Sequence, residues 1–487
     1  MPDSLGFSVT DAIRFLPEII LIVAGTLLMV LDPVIHKRSS EMFGHISLLA
    51  LAGAAVGAVF AYQNGGPAFG GMLMVDGFAT FFRVLVIAVG ILTVLPSYRY
   101  LARQDAETSE YHALILFSIS GQCLMAASND LIMVFIGLEI SSISSYILAG
   151  YMRDDKRSSE AALKYFLLGS FATAFFLYGV ALIYGSTKSV NLSMVRQVLA
   201  GQDAPSTVFI GVAAALMFVG LAFKVSAAPF QIWAPDVYQG APVPVAAFLS
   251  AGPKAAAFAV LLRIFMTALE PIGSSWEPLV WGAALLSMTV GNFAALLQTN
   301  IKRMLAYSSI AHAGYVLVAV TSRSDAGIAA VMFYLAAYAF MNVGAFVAVS
   351  SLAGKGERYT GIDDFAGLGQ KQPMTAAIFS IFLLSLIGVP LTGGFFGKFY
   401  IFKAAMESHL VCLTVLGLLN SAVGAYYYLR VLVVMYMKEP GEATLSAEPL
   451  TPGLGLALIL PALGTLALGI LPNWVLEFAV RSSSLVK

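Results

Sequence analysis

The amino-acid sequence predicts an all-α polytopic membrane protein with about fourteen transmembrane helices. Of its 487 residues, 59% are hydrophobic and 11% are charged, and the mean hydropathy is +0.85. Soluble domains are roughly 45–50% apolar and about 25% charged, so the polar residues of this chain cannot cover a globular surface. The apolar residues form runs close to the ~20 residues that a spanning helix needs, without the two-residue alternation of barrel strands. A soluble protein and a β-barrel are therefore excluded.

The spans follow one another with few long interruptions. In chain order they are predicted at residues 13–32, 43–62, 78–98, 111–128, 130–150, 160–185, 208–233, 242–268, 277–298, 303–321, 326–352, 374–405, 409–437 and 452–472. The first span has no basic segment before it and no small-residue cleavage site. We therefore expect a retained helix rather than a signal peptide.

The charge and composition of the chain argue against several classes of partner and cofactor. The chain carries 27 basic and 27 acidic residues, so nothing indicates a nucleic-acid partner. Its two cysteines, Cys123 and Cys412, are isolated and indicate neither an iron–sulfur cluster nor a disulfide framework. The segment GGFFGKF (393–399) lacks the first glycine of a P-loop and has Phe after the Lys. We expect no redox centre and no metal site in the chain.

Lys and Arg are distributed unequally between the two sides of the predicted bundle. Thirteen fall on one side: Lys37, Arg38, Arg99, Arg103, Arg153, Lys156, Arg157, Lys302, Arg303, Lys355, Arg358, Lys371 and Lys438. Seven fall on the other side: Arg14, Lys188, Arg196, Arg323, Lys403, Arg481 and Lys487. The richer side is expected to be cytoplasmic, which places both termini on the outside.

Four charged residues are predicted deep in the membrane, where insertion scales give a cost of roughly 2.5–3.5 kcal/mol each. Glu139 is near the middle of the fifth span, and Lys224 precedes a proline that interrupts the seventh. Lys254 is in the eighth span beside another proline, and Lys398 follows a Pro- and Gly-rich interruption of the twelfth. Burial lowers the pKa of a lysine in general and a nearby carboxylate raises it, so such a set can exchange protons near neutral pH.

Other polar residues in the spans can be explained by structural roles as well as by functional ones. The hydroxyl groups after Glu139 could satisfy its carboxylate; they belong to Ser141, Ser142, Ser144 and Ser145. Lys164 lies near the start of the sixth span, where snorkelling explains it as well as function does. His312 is in the middle of the tenth span and could be a relay or a merely hydrogen-bonded residue. Interfacial anchors are expected at Asp76, Arg83, Arg263 and Arg430.

The spacing of these residues predicts an internal repeat. Pairs recur 173–176 residues apart: Glu139 with His312, Lys224 with Lys398, and Lys254 with Arg430. Interrupted helices at corresponding positions of two halves are typical of transporter cores. Spans 4–8 and 9–13 would form two five-helix units, the second inverted because five is odd, each with a broken helix. The predicted domains are 1–105, 106–270, 271–440 and 441–487.

Three segments resemble the antiporter-like subunits of respiratory complex I. They are KVSAAPFQIWAPDVYQGAPVPVAAFLSAGPKAA (224–256), LLQTNIKRMLAYSSIAHAGYVLVA (296–319) and LSLIGVPLTGGFFGKFYIF (384–402). The PDVYQGAPVPV segment is similar to the N-subunit family of bacterial NADH:quinone oxidoreductase, and differs from the L and M subunits and the Mrp-type antiporters. The L subunit also has a long C-terminal lateral helix that we do not expect here.

The resemblance implies a proton channel within the chain. Glu139 would tune Lys224, the protonatable residue of the broken seventh helix. Lys254 would connect along a central hydrophilic axis, and Lys398, a lysine in the N and L subunits but a glutamate in the M subunit, would lead to the far half-channel. Lys164 and His312 match the family too, with less certain roles.

The resemblance also implies where the chemistry lies. NADH, FMN, iron–sulfur clusters and quinone would belong to partner subunits, and the neighbours would be antiporter-like and quinone-module subunits in the bacterial inner membrane. Two other interpretations remain open. One is a freestanding Mrp-like cation/proton antiporter, and the other is a structural subunit whose lysines only hold helices together.

Overall fold

The computed structural model describes residues 8–32, 40–106, 108–202, 204–445 and 452–483. Before the repeats come α1 (Val9–Arg14), α2 (Leu16–Leu31), α3 (Ser40–Gln63), a hairpin of β1 (Gly66–Ala68) and β2 (Leu73–Val75), and α4 (Gly77–Arg103). The first unit contains α5 (Ser109–Ala127), α6 (Leu131–Ala149), α7 (Lys156–Thr187), α8 (Leu192–Ala200), α9 (Thr207–Val225), α10 (Ala234–Gly240) and α11 (Val243–Arg263). The second contains α12 (Gly273–Leu296), α13 (Ile301–Thr321), α14 (Asp325–Leu352), α15 (Leu368–Lys371), α16 (Pro373–Ile387), α17 (Gly393–Glu407) and α18 (Val411–Met437). The C-terminal part contains α19 (Glu442–Leu445), α20 (Pro452–Ile470) and α21 (Asn473–Ser483).

These elements confirm the predicted all-α membrane fold. In the described part of the chain, 11 helices are long and apolar enough to cross a membrane. Each of the fourteen predicted spans coincides with one helix or with a pair of half-helices. Lys37, Arg38 and Lys487, which were counted for orientation, lie outside the described residues.

Two five-helix units pack in the same way. α5 packs against α6 as α12 packs against α13, and α7 contacts α9 as α14 contacts α16 and α17. At the start of α6, the Leu131 amide donates to the Val190 carbonyl at 2.9 Å; at the start of α13, the Ile301 amide donates to the Thr360 carbonyl at 2.8 Å. Both residues of the second pair lie 170 positions after their counterparts. α13 is the fifth span after α6, and because five is odd the two units run in opposite directions through the membrane.

Two of the spans are broken, as the Pro-containing segments predict. The seventh consists of α9 and α10, and the twelfth consists of α16 and α17. At the second break Gly388 adopts φ +96°, a left-handed conformation that glycine reaches without a steric penalty. The halves approach closely there, because a side chain at Gly394 would lie 1.9 Å from the Ser385 carbonyl oxygen.

The 174-residue spacing of Lys224 and Lys398 does not mark equivalent positions. Lys224 is the second-last residue of α9 and so precedes its break. Lys398 is in α17 and follows its break. The repeat is therefore real, but the two lysines approach the middle of their broken spans from opposite chain directions.

One predicted interfacial anchor is wrong. The side chains of Arg83 and Glu18 are both 0% exposed and form an ion pair of 2.7 Å between α4 and α2. A buried charge is retained only with such a partner. The other three do lie near helix ends: Arg263 pairs with Asp76 at 2.8 Å, and Arg430 donates to the carbonyls of Leu296 and Gln298.

Three elements were not expected from the sequence. The β1–β2 hairpin pairs Gly66 with Val75 and follows α3. The short helices α8 and α21 are amphipathic. α8 buries Leu192, Val195 and Leu199 and exposes Met194, and α21 buries Ala479, Ser482 and Ser483 and exposes Trp474. Helices of this kind lie at a membrane surface rather than across it.

Candidate functional site

Lys224 lies at the end of α9 among aromatic rings. Its Nζ is 5.0 Å from the ring centre of Tyr146, 5.7 Å from that of Tyr165 and 5.6 Å from that of Phe223. Nζ donates to the Ser142 hydroxyl at 2.7 Å and to the Tyr146 hydroxyl at 3.1 Å. Ring faces and hydroxyl oxygens both stabilise an ammonium group, so this aromatic box can hold Lys224 in its charged form.

The break in the seventh span positions this lysine. Ser226 adopts the left-handed conformation with φ +60° and ends α9. The Trp233 indole then donates to the carbonyl of Phe223 at 3.0 Å, satisfying one of the free carbonyls at the helix end. The Trp233 and Tyr165 rings stack with centres 4.3 Å apart. The loop after α9 is thereby folded back over the aromatic box.

Glu139 does not form the direct ion pair with Lys224 that the sequence suggested. In the described part of the chain its carboxylate has no ion-pair partner, and its buried Oε1 has no hydrogen-bond partner. It lies on α6, one helical turn before Ser142, the residue that binds Lys224. Glu139 is half-buried and borders the outward-facing residues Ile136 and Ile143. Glu139 therefore lies one turn from the group that binds Lys224 and does not contact the lysine itself.

The serines after Glu139 do not satisfy its carboxylate. Their hydroxyl groups donate to backbone carbonyls one turn earlier: Ser142 to Leu138, Ser144 to Ile140, and Ser145 to Ser141. Ser142 differs from the other serines because its oxygen also accepts a hydrogen bond from Lys224. Hydrogen bonds from the neighbouring serines therefore do not explain the presence of Glu139 in this span.

Tyr238 of α10 is buried next to α11, the helix that carries Lys254. Its hydroxyl donates to the carbonyl of Leu249 at 3.3 Å. The Ser309 hydroxyl accepts from Lys254, whose Nζ also donates to the Ser309 carbonyl at 3.0 Å. Tyr238 is 0% exposed. The buried hydroxyl of Tyr238 therefore joins α10 to α11, on which Lys254 lies.

α13 carries a polar stripe through the second unit. Lys302, Ser309, His312 and Tyr315 follow at spacings of seven, three and three residues, which places them along one face of the helix. Ser309 binds Lys254, and the Tyr315 ring lies 5.0 Å from Nζ of Lys398. The contacts of Lys254 and Lys398 with Ser309 and Tyr315 therefore lie on the same helix as His312.

His312 is hydrogen-bonded on both sides of its ring. Nδ1 lies 2.5 Å from the Tyr334 hydroxyl, and Nε2 lies 3.1 Å from the Tyr428 hydroxyl. The histidine is 2% exposed. A neutral imidazole has one donor and one acceptor nitrogen, so both contacts can be satisfied without a charge.

Lys398 is held at the break of the twelfth span. Its Nζ donates to the carbonyls of Leu386 and Ile387 at 3.0 and 2.8 Å and to the Ser421 hydroxyl at 2.8 Å. The two carbonyls are the free acceptors at the C-terminal end of α16, where the helix dipole also favours a cation. Lys398 thus has no carboxylate partner in the described part of the chain, and the helix end takes that role.

A cavity opens at the end of the bundle that carries Arg103, Arg303 and Lys355, called the basic end below. Its volume is about 990 Å³, and Glu357 and Tyr100 are in its lining. Behind Glu357 lies Lys302, which is 1% exposed and forms an ion pair of 2.5 Å with it. Lys302 begins the polar stripe of α13, so the cavity reaches the start of that stripe.

Lys164 is not part of this buried set. Its side chain is 41% exposed and forms ion pairs of 2.7 Å with Glu160 and with Asp236. Asp236 also pairs with Arg303 at 2.6 Å. Lys164 therefore belongs to an ion-pair network at the basic end. This contact pattern agrees with a lysine that reaches the membrane surface.

The aromatic and hydroxyl partners were missed in the sequence because they lie far from the lysines along the chain. The relevant signal was the set of tyrosines on the same helices as the titratable residues: Tyr146, Tyr165, Tyr238, Tyr334 and Tyr428. In the described ranges no group of three or more His, Cys, Asp or Glu side chains converges as a metal site would require.

The chain matches proteins of known family over most of its length. Residues 128–424 match the family model described as "NADH:quinone oxidoreductase/Mrp antiporter, TM". The sequence is 78% identical over 487 residues to NADH-quinone oxidoreductase subunit N 1 of Solibacter usitatus, covering 100% of both chains.

Solved structures share the fold. A chain of respiratory complex I from Thermus thermophilus with bound aureothin is 34% identical, with a TM-score of 0.81, covering 95% of this chain and 99% of that one. A chain of the Mrp complex from Dietzia sp. has a TM-score of 0.83, covering 98% of each chain. At 20% identity this second likeness concerns the fold alone.

Proposed function

Since the chain belongs to the NADH:quinone oxidoreductase/Mrp antiporter family, we propose that it works as the N subunit of a proton-translocating NADH:quinone oxidoreductase. In this assignment the chain carries protons and holds no redox centre. Partner subunits bind NADH, FMN, the iron–sulfur clusters and the quinone. The full-length identity of 78% to a subunit N supports this assignment over a freestanding antiporter.

The observation that carries the proposal is a set of three buried lysines accompanied by buried hydroxyl and imidazole groups. Lys224, Lys254 and Lys398 are 8%, 2% and 8% exposed. Such cations are expensive inside a membrane and have no role in helix packing that an apolar residue would not serve better. The accompanying groups are Tyr238, His312 and serine hydroxyls, which can both donate and accept protons.

We propose the following route. Lys224 is loaded from the basic end, which is cytoplasmic, and Glu139 and Ser142 control its hold on the proton. The proton passes by way of Tyr238 and Ser309 to Lys254. It then crosses the second unit past His312 to Lys398 and leaves on the opposite side.

We assign the remaining features as follows. The segments 106–270 and 271–440 are the two halves of this channel, and 1–105 and 441–487 are additions around it. The protein lies in the bacterial inner membrane with both termini on the periplasmic side. The Glu357–Lys302 pair and the cavity in front of it provide a second approach from the cytoplasm to the stripe of α13.

Membership of the complex is tested by mild detergent extraction of native membranes followed by native electrophoresis. We expect this chain to migrate in a large assembly that has NADH:quinone reductase activity. If it migrates instead as a small species that exchanges cations for protons, the freestanding antiporter is the correct function.

Replacing Glu139 by glutamine in the assembled enzyme should lower proton translocation and coupled turnover several-fold while assembly persists. The change keeps the size of the side chain and removes the charge that lies one turn from the Ser142–Lys224 contact. Proton uptake by inside-out vesicles during NADH oxidation measures the effect.

The matched control is Glu407→Gln, because Glu407 is an exposed acid that pairs with Lys403 at 3.8 Å near the end of α17. This control should behave as the wild type. Wild-type translocation in Glu139→Gln would remove Glu139 from the route.

A further inference from the structure

A continuous hydrogen-bonded chain crosses the middle of the second unit. The Ser308 hydroxyl is bonded to the Tyr428 hydroxyl. The Tyr428 hydroxyl lies 3.1 Å from Nε2 of His312, and Nδ1 of His312 lies 2.5 Å from the Tyr334 hydroxyl. Four groups from α13, α18 and α14 are thus joined in series, with the histidine in the middle.

Each end of the chain reaches a residue that is next in sequence to a contact residue of a lysine or to the lysine itself. At one end, Ser308 directly precedes Ser309, the residue that binds Lys254. At the other end, the Tyr334 ring packs against Gly397, the residue before Lys398; a Cβ on Gly397 would lie 2.5 Å from that ring. His312 is close enough to both lysines to interact with them electrostatically.

All four groups of the hydrogen-bonded chain are buried, where an unsatisfied polar group is costly. Ser308, Tyr334 and Tyr428 are 0%, 0% and 1% exposed, and His312 is 2% exposed. A buried hydroxyl without a partner costs roughly 1–3 kcal/mol in proteins, so each group must bond to its neighbour. The hydroxyl of the neighbouring Tyr427 donates to Oδ1 of Asn292 at 3.0 Å, and its ring centre lies 4.3 Å from that of Tyr428.

We infer that the Tyr428 and Tyr334 hydroxyls are proton-transfer groups that connect Lys254 to Lys398 through His312. The inference rests on the proposed proton translocation and adds two residues to its route. No stable phenolate or imidazolium is needed, since each group gives up one proton as it receives another.

The transfer balances as follows. A proton released by Lys254 reaches Ser308 Oγ, and the hydroxyl proton of Ser308 moves to Tyr428 Oη. The proton of Tyr428 moves to Nε2 of His312, and the proton on Nδ1 moves to Tyr334 Oη. The proton of Tyr334 moves to the neutral amine of Lys398. Rotation of the hydroxyls and return of the imidazole to its first tautomer restore the chain for the next proton.

The test is Tyr428→Phe in the assembled enzyme, which removes one oxygen and keeps the ring. We expect proton uptake by vesicles to fall about tenfold or more per assembled complex, because a positioned proton-transfer group typically contributes at least that much. The matched control is Tyr426→Phe on the same helix, because Tyr426 is 63% exposed; this variant should leave uptake close to the wild type. Wild-type uptake in Tyr428→Phe, or equal losses in the two variants, would overturn the inference.

A double variant separates proton transfer from packing. If the groups act in series, Tyr334→Phe combined with Tyr428→Phe should lose no more than the more damaged single variant. Additive losses would indicate independent structural roles and overturn the inference. Should one variant fail to assemble, the other single variant gives the same test, since either interrupts the series.

Lys398→Met, measured in parallel, distinguishes a failure of the tyrosine chain from a failure of the proposed function. If Lys398→Met stops uptake and Tyr428→Phe does not, the tyrosine chain is wrong and the proposed function stands. If neither variant affects uptake, the proposed function itself fails.

Discussion

Replacing Lys224 by arginine should stop proton translocation by the assembled complex, although the positive charge is preserved. An arginine stays protonated under all conditions in proteins, whereas a lysine can release its proton. In the described part of the chain, Lys224 contacts the Ser142 and Tyr146 hydroxyls and three aromatic rings, and no carboxylate pairs with it. We expect proton uptake to fall by ~10²-fold, as for the loss of a general acid–base group. Lys224→Ala should have the same effect.

The comparison is made with vesicles that contain equal amounts of assembled enzyme. Lys403→Arg is the control, because Lys403 is 58% exposed near the end of α17 and pairs with an exposed acid. An arginine variant at Lys224 that pumps normally would mean that this residue provides only a fixed charge. Normal pumping in both Lys224→Ala and Glu139→Gln would remove the seventh span from the channel.

Lys254→Met should also abolish translocation while leaving the complex assembled. Methionine has a similar length and suits a site that is 2% exposed, so the fold loses little. What is lost is the amine that binds Ser309 between the two units. Because the proposed route passes through Lys254 between its two halves, proton uptake should fall by ~10²-fold.

The matched control for Lys254 is Lys371→Met, at an exposed lysine of α15. Electrophoresis of the native complex checks that both variants assemble. The structural-subunit interpretation gives the opposite result, namely full turnover and full proton uptake in Lys254→Met.

Much of the fold could be predicted from the sequence because the membrane restricts what a chain can do. Spans appear as apolar runs, and the two breaks appear as Pro- and Gly-rich segments around Pro229 and Pro390. The depth of Lys224 and Lys254 follows from counting residues along a helix. The inverted repeat follows from the odd number of spans in each unit.

The contacts inside the bundle could not be predicted, because they depend on which helix faces which. Lys224 binds Ser142, 82 residues earlier, and His312 binds Tyr428, 116 residues later. Periodicity gives no signal for either pair, since these helices are apolar nearly all round. The buried ion pair of Glu18 and Arg83 was missed for the same reason: each residue is near a span end in sequence, and only packing shows that they meet.

Spacing alone also overstated the equivalence of the two halves. It matched Lys224 with Lys398 and Lys254 with Arg430, whereas the backbone contacts that repeat are 170 residues apart. With that offset, Ser142 and His312 are equivalent. Each binds a hydroxyl or amine in the middle of its own unit. Ser142 and His312 therefore occupy the same position in the two units, but one carries a hydroxyl group and the other an imidazole.

Proton uptake during NADH oxidation by vesicles that contain the Lys398→Met enzyme decides whether the set of buried lysines carries protons. Lys398 is the last group of the proposed route, and its partners are two carbonyls and one hydroxyl that make no demand for a charge. If these lysines carry protons, uptake per assembled complex should fall by at least about tenfold, and NADH oxidation coupled to it should fall as well. Uptake and oxidation at wild-type rates in this variant would contradict the account, because the route would then have no outlet.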